Sequence, residues 1–401
     1  MPMRRTTGAL SICLALGLPA VQMLAFEARA FQAQSAGPAL PADNPRLIPR
    51  TSAEREQRYL AQHRIILNVH VANASGDSYR DLAQADFTLY DNDLPRNLVS
   101  FRSVEGNAAQ AHVILVLDAV NNSTKQIRYF EKEIEKYLAA GKDPLPLAMS
   151  IGVFVDAHIS FTPSLRDRDA LLTEFRGRTA NLHAYGCNSI PDHDENLNMS
   201  GIMKGIGTRA TSSASLACLN ERFVSSISAL RFLAKDQVDI PGRAIVIWMG
   251  PGWPLLTNKE FEPDPPRLKQ NFFDQLVEVS TALREGQVTI EAVASPDQAD
   301  IPGMIHAHDF DFFDGVSSAD QVRAGNLGLH ALVHQTGGNI LTDERDVAGQ
   351  LGQCIADAES YYVLSFDSPA ASAFGEYHVL GIKVDKPGLD VRTNTLYYAE
   401  Q

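Results

Sequence analysis

Apolar and polar residues alternate in two stretches of the chain, one near the start and one at the end. In residues 64–72, Ile65, Leu67, Val69 and Val71 share one face, and Asn68 and His70 lie on the other. This spacing predicts a half-buried strand. Turn-forming residues separate it from two more predicted strands in the first stretch, and three follow in the second. These strands are 87–90, 98–104, 361–366, 377–384 and 391–398.

Between these stretches the spacing changes to apolar runs separated by helical patterns. Residues 111–118 form a continuous apolar run that ends in Asp118, and apolar side chains then recur at helical spacing from Ile127 to Leu138. Repetition of this unit predicts an α/β fold, with a mainly parallel sheet and helices on both faces. The remaining predicted strands are 149–155, 159–162, 243–249, 288–294 and 339–342, and the remaining predicted helices lie near 167–175, 219–234, 272–283, 329–333 and 345–359.

The two β stretches are each shorter than fifty residues, so neither buries enough surface to be secure alone. We therefore expect them to pair, with the α/β domain interrupting one small β module. The predicted organisation is a signal peptide (1–30), a linker (31–60), an N-terminal β module (61–108), an α/β domain (109–360) and a C-terminal β segment (361–401).

The first thirty residues carry the features of an export signal. Arg4 and Arg5 precede the apolar stretch 9–26, and Ala28-Arg29-Ala30 offers small residues for cleavage. Polar residues interrupt a run that is already close to the minimum for a membrane anchor, which disfavours a retained span. We expect an exported protein, periplasmic or secreted, with no stable membrane span after cleavage.

The composition of the 401 residues is that of a globular protein, and the charge limits the partners. With 35 basic and 48 acidic residues the chain has a net charge of −13. This balance argues against nucleic acid as a partner, because phosphate binding requires a cationic face.

Cysteines in an exported chain are candidates for disulfide bonds. Cys187 and Cys218 bracket a polar segment, and a bridge between them would close a loop of about 30 residues, worth about 3–4 kcal/mol. The alternative, that they remain unpaired, stays open. Cys354 lies in a helical pattern and is expected to be a small buried residue.

Several short motifs together resemble the von Willebrand factor A-related family of the acidobacterial type. They are Leu82, Asp86 and Phe87 in the β module, residues 118–122 after the first α/β strand, residues 247–252 after the fourth, and residues 361–366 near the end. The resemblance extends over essentially the whole mature chain. It implies a von Willebrand A-like α/β fold.

The resemblance also suggests a divalent cation, Mg²⁺ or another, as a candidate cofactor. Metal-binding A domains use an Asp-x-Ser-x-Ser loop, a later threonine and an aspartate after the fourth strand. Here Asp118, Asn122 and Thr208 are the implied ligands, with Thr211 as the alternative to Thr208. The set is degenerate, because Val120 and Asn122 replace the serines and Trp248-Met249-Gly250 brings no carboxylate. The alternative is that Asp118 accepts hydrogen bonds from amides at the start of the next helix.

Aromatic residues lie in the long loops expected at the carboxyl edge of the sheet, where open α/β sheets bind ligands. Trp253, Phe310, Phe312 and Phe313 are candidate contacts to a protein or matrix partner, since aromatic side chains supply large contact areas. The alternative is that they pack the loops onto the sheet.

The sequence contains none of the common enzyme motifs that we sought, such as His-Glu-x-x-His or Gly-x-Ser-x-Gly. We therefore expect a non-enzymatic binding or adhesion protein. Two alternatives remain: an envelope scaffold without a discrete ligand, and a metal-dependent hydrolase. The hydrolase would use a cluster comprising His306, His308, Asp309, Asp311 and Asp314.

Overall fold

Strands and helices follow the order expected from the sequence. The computed structural model describes residues 63–106, 110–141, 143–186, 213–253, 266–293, 312–342 and 346–399. The strands are β1 (Arg64–Ala72), β2 (Phe87–Asp91), β3 (Leu94–Arg96), β4 (Ser100–Glu105), β5 (Ala111–Asp118), β6 (Ala148–Val155), β7 (His158–Phe161), β8 (Arg243–Met249), β9 (Val288–Val293), β10 (Ile340–Leu341), β11 (Ser360–Asp367), β12 (Glu376–Val384), β13 (Asp390–Arg392) and β14 (Leu396–Ala399). The α-helices are α1 (Thr124–Ala139), α2 (Arg168–Thr179), α3 (Ser213–Gln237), α4 (Pro266–Glu285), α5 (Leu329–Gln335) and α6 (Val347–Glu359).

The central sheet has six strands in the order β10-β9-β8-β5-β6-β7. Neighbouring strands are parallel except for the edge strand β7, which runs antiparallel to β6. Helices α1, α2 and α6 contribute to the apolar core on one face, and α3, α4 and α5 to the core on the other. The predicted α/β fold class, a mainly parallel sheet with helices on both faces, is confirmed. All seven residues of β8 are buried, as expected for a central parallel strand.

Helix α1 shows how the local sequence produces these elements. The hydroxyl of Ser123 accepts a hydrogen bond from the backbone N–H of Gln126, and the Gln126 side chain accepts one from the backbone of Ser123. This capping box satisfies two amides at the start of the helix. Its apolar stripe is buried against the sheet, and each such side chain contributes about 1.5–3 kcal/mol. The stripe consists of Ile127, Phe130, Ile134 and Leu138.

The two flanking β stretches form a single β-sandwich. Its sheets have the orders β13-β1-β11-β4 and β14-β12-β2-β3, so each contains strands from both ends of the chain. Strand β1 pairs antiparallel with β11, from Arg64↔Asp367 to Val69↔Tyr362, and β2 pairs antiparallel with β12. Buried residues of both sheets form a shared core. The predicted pairing of the two stretches is confirmed.

One predicted strand of the sandwich is divided in two. Residues 391–398 were expected to form one strand, but β13 ends at Arg392 and β14 begins at Leu396. The reason lies in the pairing: β13 pairs with β1 in one sheet, and β14 pairs with β12 in the other. The chain crosses between the sheets at this point.

The second half of β1 is buried on both faces, which corrects the prediction of a half-buried strand. His70 is 1% exposed and Asn68 7% exposed, because the polar face packs towards the α/β layers. The Arg392 guanidinium donates to Asp357 Oδ2 over 2.7 Å and lies 3.8 Å from Glu291 Oε1, and His70 Nε2 lies 3.5 Å from Asp357 Oδ1. This buried charge network joins the sandwich to β9 and α6.

Two cysteines lie within the described residues, and export favours disulfide bonds between cysteines. Cys218 is disulfide-bonded, and Cys354 is a free, buried cysteine. Cys187 lies outside the described residues, so its pairing with Cys218 stays a prediction.

Within the described ranges, no helix combines the length and apolar character needed to cross a membrane.

Burial shifts the pKa values of two members of the charge network in opposite directions. Their contributions to the free energy of unfolding therefore change in opposite directions with pH. Burial raises the pKa of Glu291 from 4.5 to about 7 and lowers the pKa of His70 from 6.5 to about 4. The folded state therefore binds more protons than the unfolded state at Glu291 between pH 4.5 and 7, and fewer at His70 between pH 4 and 6.5. As pH rises, Glu291 lowers the free energy of unfolding and His70 raises it.

We predict that Glu291→Gln becomes more stabilising, relative to wild type, as pH rises from 4.5 to 7. Removing the group with the raised pKa removes a cost that grows to about 3 kcal/mol over this interval. Urea unfolding at several pH values measures the difference. The exposed Thr173→Ser, which changes no titratable group, serves as the control and should give a difference that does not change with pH. A constant difference for Glu291→Gln would contradict the prediction.

Candidate binding site at the carboxyl edge of the sheet

The carboxyl ends of β5 and β8 meet at the point where the strand order reverses, because β5 lies between β6 and β8. Ligands of open α/β sheets bind outside such a point. Asp118, the last residue of β5, is fully buried there. Its side chain organises the loop that leads into α1.

Four N–H groups donate to the Asp118 carboxylate. The backbone amides of Val120 and Asn121 donate to Oδ1 over 2.9 and 2.8 Å. The Asn121 side-chain amide and the Trp248 indole donate to Oδ2, each over 2.9 Å. Burial raises the pKa of Asp118, and these hydrogen bonds oppose the rise. Asp118 thus accepts hydrogen bonds from amides before α1, which is the alternative role considered from the sequence.

Two asparagines continue this network to the neighbouring strand and helix. Asn122 Nδ2 donates to the backbone oxygens of Asp118 and Met249, over 2.7 and 3.0 Å. Asn121 Nδ2 also donates to Ser226 Oγ, over 3.0 Å. These contacts join β5, β8 and α3 at the carboxyl edge.

The described residues at this edge do not fit a divalent cation. Both oxygens of Asp118 already accept N–H donors, whose positive ends would face a bound cation. Asn122 turns its N–H₂ towards backbone oxygens, and the Oδ1 atoms of Asn121 and Asn122 are buried without a hydrogen-bond partner. Thr208 and Thr211 lie outside the described residues. Two amide oxygens are a poor set for Mg²⁺, which prefers carboxylates and water.

The second metal prediction concerns the hydrolase alternative. Of the cluster His306, His308, Asp309, Asp311 and Asp314, only Asp314 lies within the described residues, where it is exposed. The described parts of the chain hold no group of three or more His, Cys, Asp or Glu side chains able to bind a metal.

Two of the predicted partner contacts are core residues, which differs from the prediction. Trp253 is 3% exposed, packs edge-on against Trp248 and donates to the Leu327 oxygen over 2.5 Å. Phe312 is similarly covered, with the Arg323 guanidinium above its ring. Their surfaces are already occupied by the chain itself, so we assign both to packing.

Of the other two aromatic candidates, the structure describes Phe313 but not Phe310. Phe313 is half-buried, and its ring stacks on that of His334 at 4.5 Å between centroids. Phe310 lies outside the described residues.

A second polar group at this edge was missed by the sequence analysis. Tyr185 N–H donates to the Ala119 oxygen over 2.9 Å, and Arg222 Nη2 donates to the Tyr185 oxygen over 3.2 Å. The Tyr185 hydroxyl donates to Glu221, and burial raises the pKa of Tyr185 to about 12. Burial also lowers the pKa of Arg222. No local motif links these residues, since tertiary packing alone brings them beside the Asp118 loop.

Comparisons with known proteins give distant structural similarity only. Neither a protein-family model nor a curated protein matches the chain. The human COPII-coat protein Sec24c is similar at 6% identity and a TM-score of 0.34, over 78% of this chain and 46% of that one. The manganese-loaded TRAP protein of Plasmodium vivax is similar at 10% identity and a TM-score of 0.32, over 74% of this chain and 97% of that one.

A third similar structure is proximal thread matrix protein 1 from the mussel byssus, with a zinc-occupied MIDAS motif. The identity is 10% and the TM-score 0.31, over 65% of this chain and 49% of that one. The chain thus spans about half the length of the first and third of these proteins. At these TM-scores, the order and direction of its own strands define the fold.

We predict that Gly250→Ala destabilises the protein by about 1–3 kcal/mol, because the network leaves no space for a side chain. A Cβ atom at Gly250 would lie 2.9 Å from Asn122 Nδ2 and 3.0 Å from Asp118 Cβ. Urea unfolding measures the loss. The matched control is Gly352→Ala in α6, where a Cβ meets open space and should stabilise by about 0.5–1 kcal/mol. Equal effects of the two variants would contradict the prediction.

Proposed function

We propose that the chain is an exported, non-enzymatic binding protein of the von Willebrand A-related type. In this proposal the carboxyl edge of the sheet contacts a protein or matrix partner. The observation that carries it is the Asp118 network, whose polar groups are committed to holding β5, β8 and α3 together. Polar groups committed in this way hold a recognition surface rigidly, as an adhesion function requires.

The course of the chain supports the use of this edge for recognition. Residues 250–265 connect β8 to α4, residues 294–328 connect β9 to α5, and residues 180–212 precede α3. Long connections on a rigid sheet are where binding residues concentrate. The export part of the proposal is supported by the signal-peptide pattern in residues 1–30.

A non-enzymatic role is supported by the chemistry of the described edge. Asp118 is sealed from solvent and saturated with N–H donors, so it is not available as a general base or nucleophile. Tyr185 has a raised pKa, which keeps its hydroxyl protonated. These groups are suited to holding the loops in place.

We predict that charge changes at the carboxyl edge weaken partner binding, whereas similar changes at the opposite edge do not. Lys125 and His183 are exposed near the Asp118 loop, and Asp143 and Asp239 are exposed at the opposite edge. The double variant Lys125→Glu/His183→Glu should lose about tenfold in affinity through lost complementarity. Asp143→Lys/Asp239→Lys is the control.

Interferometry against immobilised collagen, fibronectin and fibrinogen measures the affinities. Saturable binding that only the first double variant weakens would support the proposal. The absence of saturable binding across the panel, or equal losses in both variants, would contradict it.

A further inference from the structure

The Asp118 carboxylate is buried at a position where the family resemblance implies a cation. Burying a carboxylate costs several kcal/mol unless hydrogen bonds or an opposite charge compensate. The hydrogen-bond donors that the structure places on Asp118 are two backbone amides, one side-chain amide and one indole, and all four are uncharged. The direct contacts are therefore all N–H dipoles, and the Arg222 guanidinium adds a coulombic attraction to Asp118 from outside this set.

Trp248 is the one donor of these four that comes from another strand. It lies on β8, opposite Val116 of β5, and its indole spans the remaining distance to Asp118 Oδ2. The ring is fully buried and held edge-on by Phe154 and Trp253, with centroids 5.7 and 5.6 Å away. Packing on both sides fixes the direction of its N–H.

A cation and this indole would compete for the same oxygen. A divalent ion bound to Oδ2 would have to displace the Trp248 N–H or lie against its positive end. The backbone amides of Val120 and Asn121 donate to Oδ1 and would compete with a cation at that oxygen in the same way. Neither carboxylate oxygen is available to a cation without breaking the network.

We propose that the Trp248 indole N–H occupies the position at Asp118 Oδ2 that a divalent cation would need, making the carboxyl edge independent of such cations. Partner binding at this edge then persists in a chelator, a consequence that rests on the proposed function. The position of the indole itself does not, and it is tested on the protein alone.

The first test uses Mn²⁺ as the probe. Electron paramagnetic resonance of Mn²⁺ mixed with wild type should show no stoichiometric binding that depends on Asp118, and the melting temperature should be the same in EDTA and in 1 mM Mn²⁺. One bound Mn²⁺ per chain that disappears in Asp118→Asn would overturn the proposal. A lower melting temperature of wild type in EDTA would also overturn it.

The second test compares the two tryptophans. Trp248→Phe removes an N–H donated to a carboxylate, and Trp253→Phe removes one donated to a neutral backbone oxygen. Hydrogen bonds to charged groups are the stronger, so Trp248→Phe should lower the melting temperature by roughly 3–8 °C and Trp253→Phe by less. In an Asp118→Asn background the excess loss should disappear.

Equal losses in the two tryptophan variants, or an excess loss that persists in the Asp118→Asn background, would overturn the role of the indole. If Trp248→Phe does not fold, the wild-type Mn²⁺ and EDTA measurements still decide cation independence. Failure of the binding panel would remove the proposed function but would leave both of these tests unaffected.

Discussion

The Asp118 carboxylate is the point on which the carboxyl edge depends. It is a carboxylate without solvent contact, so its position is stable only while the surrounding N–H groups point at it. Those groups belong to the loop before α1 and to β8, and Asn121 extends the contact to Ser226 of α3. One buried group therefore fixes the positions of β5, β8 and α3 relative to one another. This explains why a short carboxylate stands at the end of an otherwise apolar run.

The sandwich places a second constraint on the same domain. Strands β1 and β11 pair along six positions, although residues 73–359 separate them in the chain. The α/β domain must therefore leave its two ends close together. The network of His70, Arg392, Asp357 and Glu291 joins the sandwich to the sheet, because Arg392 contacts Asp357 and Glu291 and His70 contacts Asp357. Such buried networks contribute more to a defined arrangement than to net stability.

The sequence alone was sufficient for the fold because the fold is encoded locally. The bounds of β1 follow from its alternation, and the buried stripe of α1 follows from its helical spacing. The pairing of the terminal strands followed from size, since neither β stretch could bury enough surface alone. The division of β13 from β14 was not predicted, because it depends on which sheet each segment joins.

The site was predictable only as far as Asp118. Its hydrogen bond to Trp248 joins residues 130 positions apart and depends on the register of β5 against β8, which no local pattern reveals. His70 was assigned to a solvent face because alternation separates two faces but does not say what covers the second one. Aromatic residues in loops were assigned to a partner for a similar reason: composition does not distinguish a ring that faces solvent from one, such as Trp253, that faces the core.

The same contacts determine how a partner could be recognised at this edge. A cation at the end of β5 would offer a strong, directional attachment point for a carboxylate, but Asp118 is covered and its charge is compensated from within. In the proposed function, recognition comes from the surface that surrounds the network, including the exposed first turn of α1 and the segment before residue 187. Hydrogen bonds fix both of these regions. The capping box fixes the first turn of α1, and the bond from Tyr185 N–H to the Ala119 oxygen fixes the segment before residue 187. In the proposed function, a rigid support of this kind loses little conformational entropy on binding, so that affinity is determined by the complementarity of the exposed side chains.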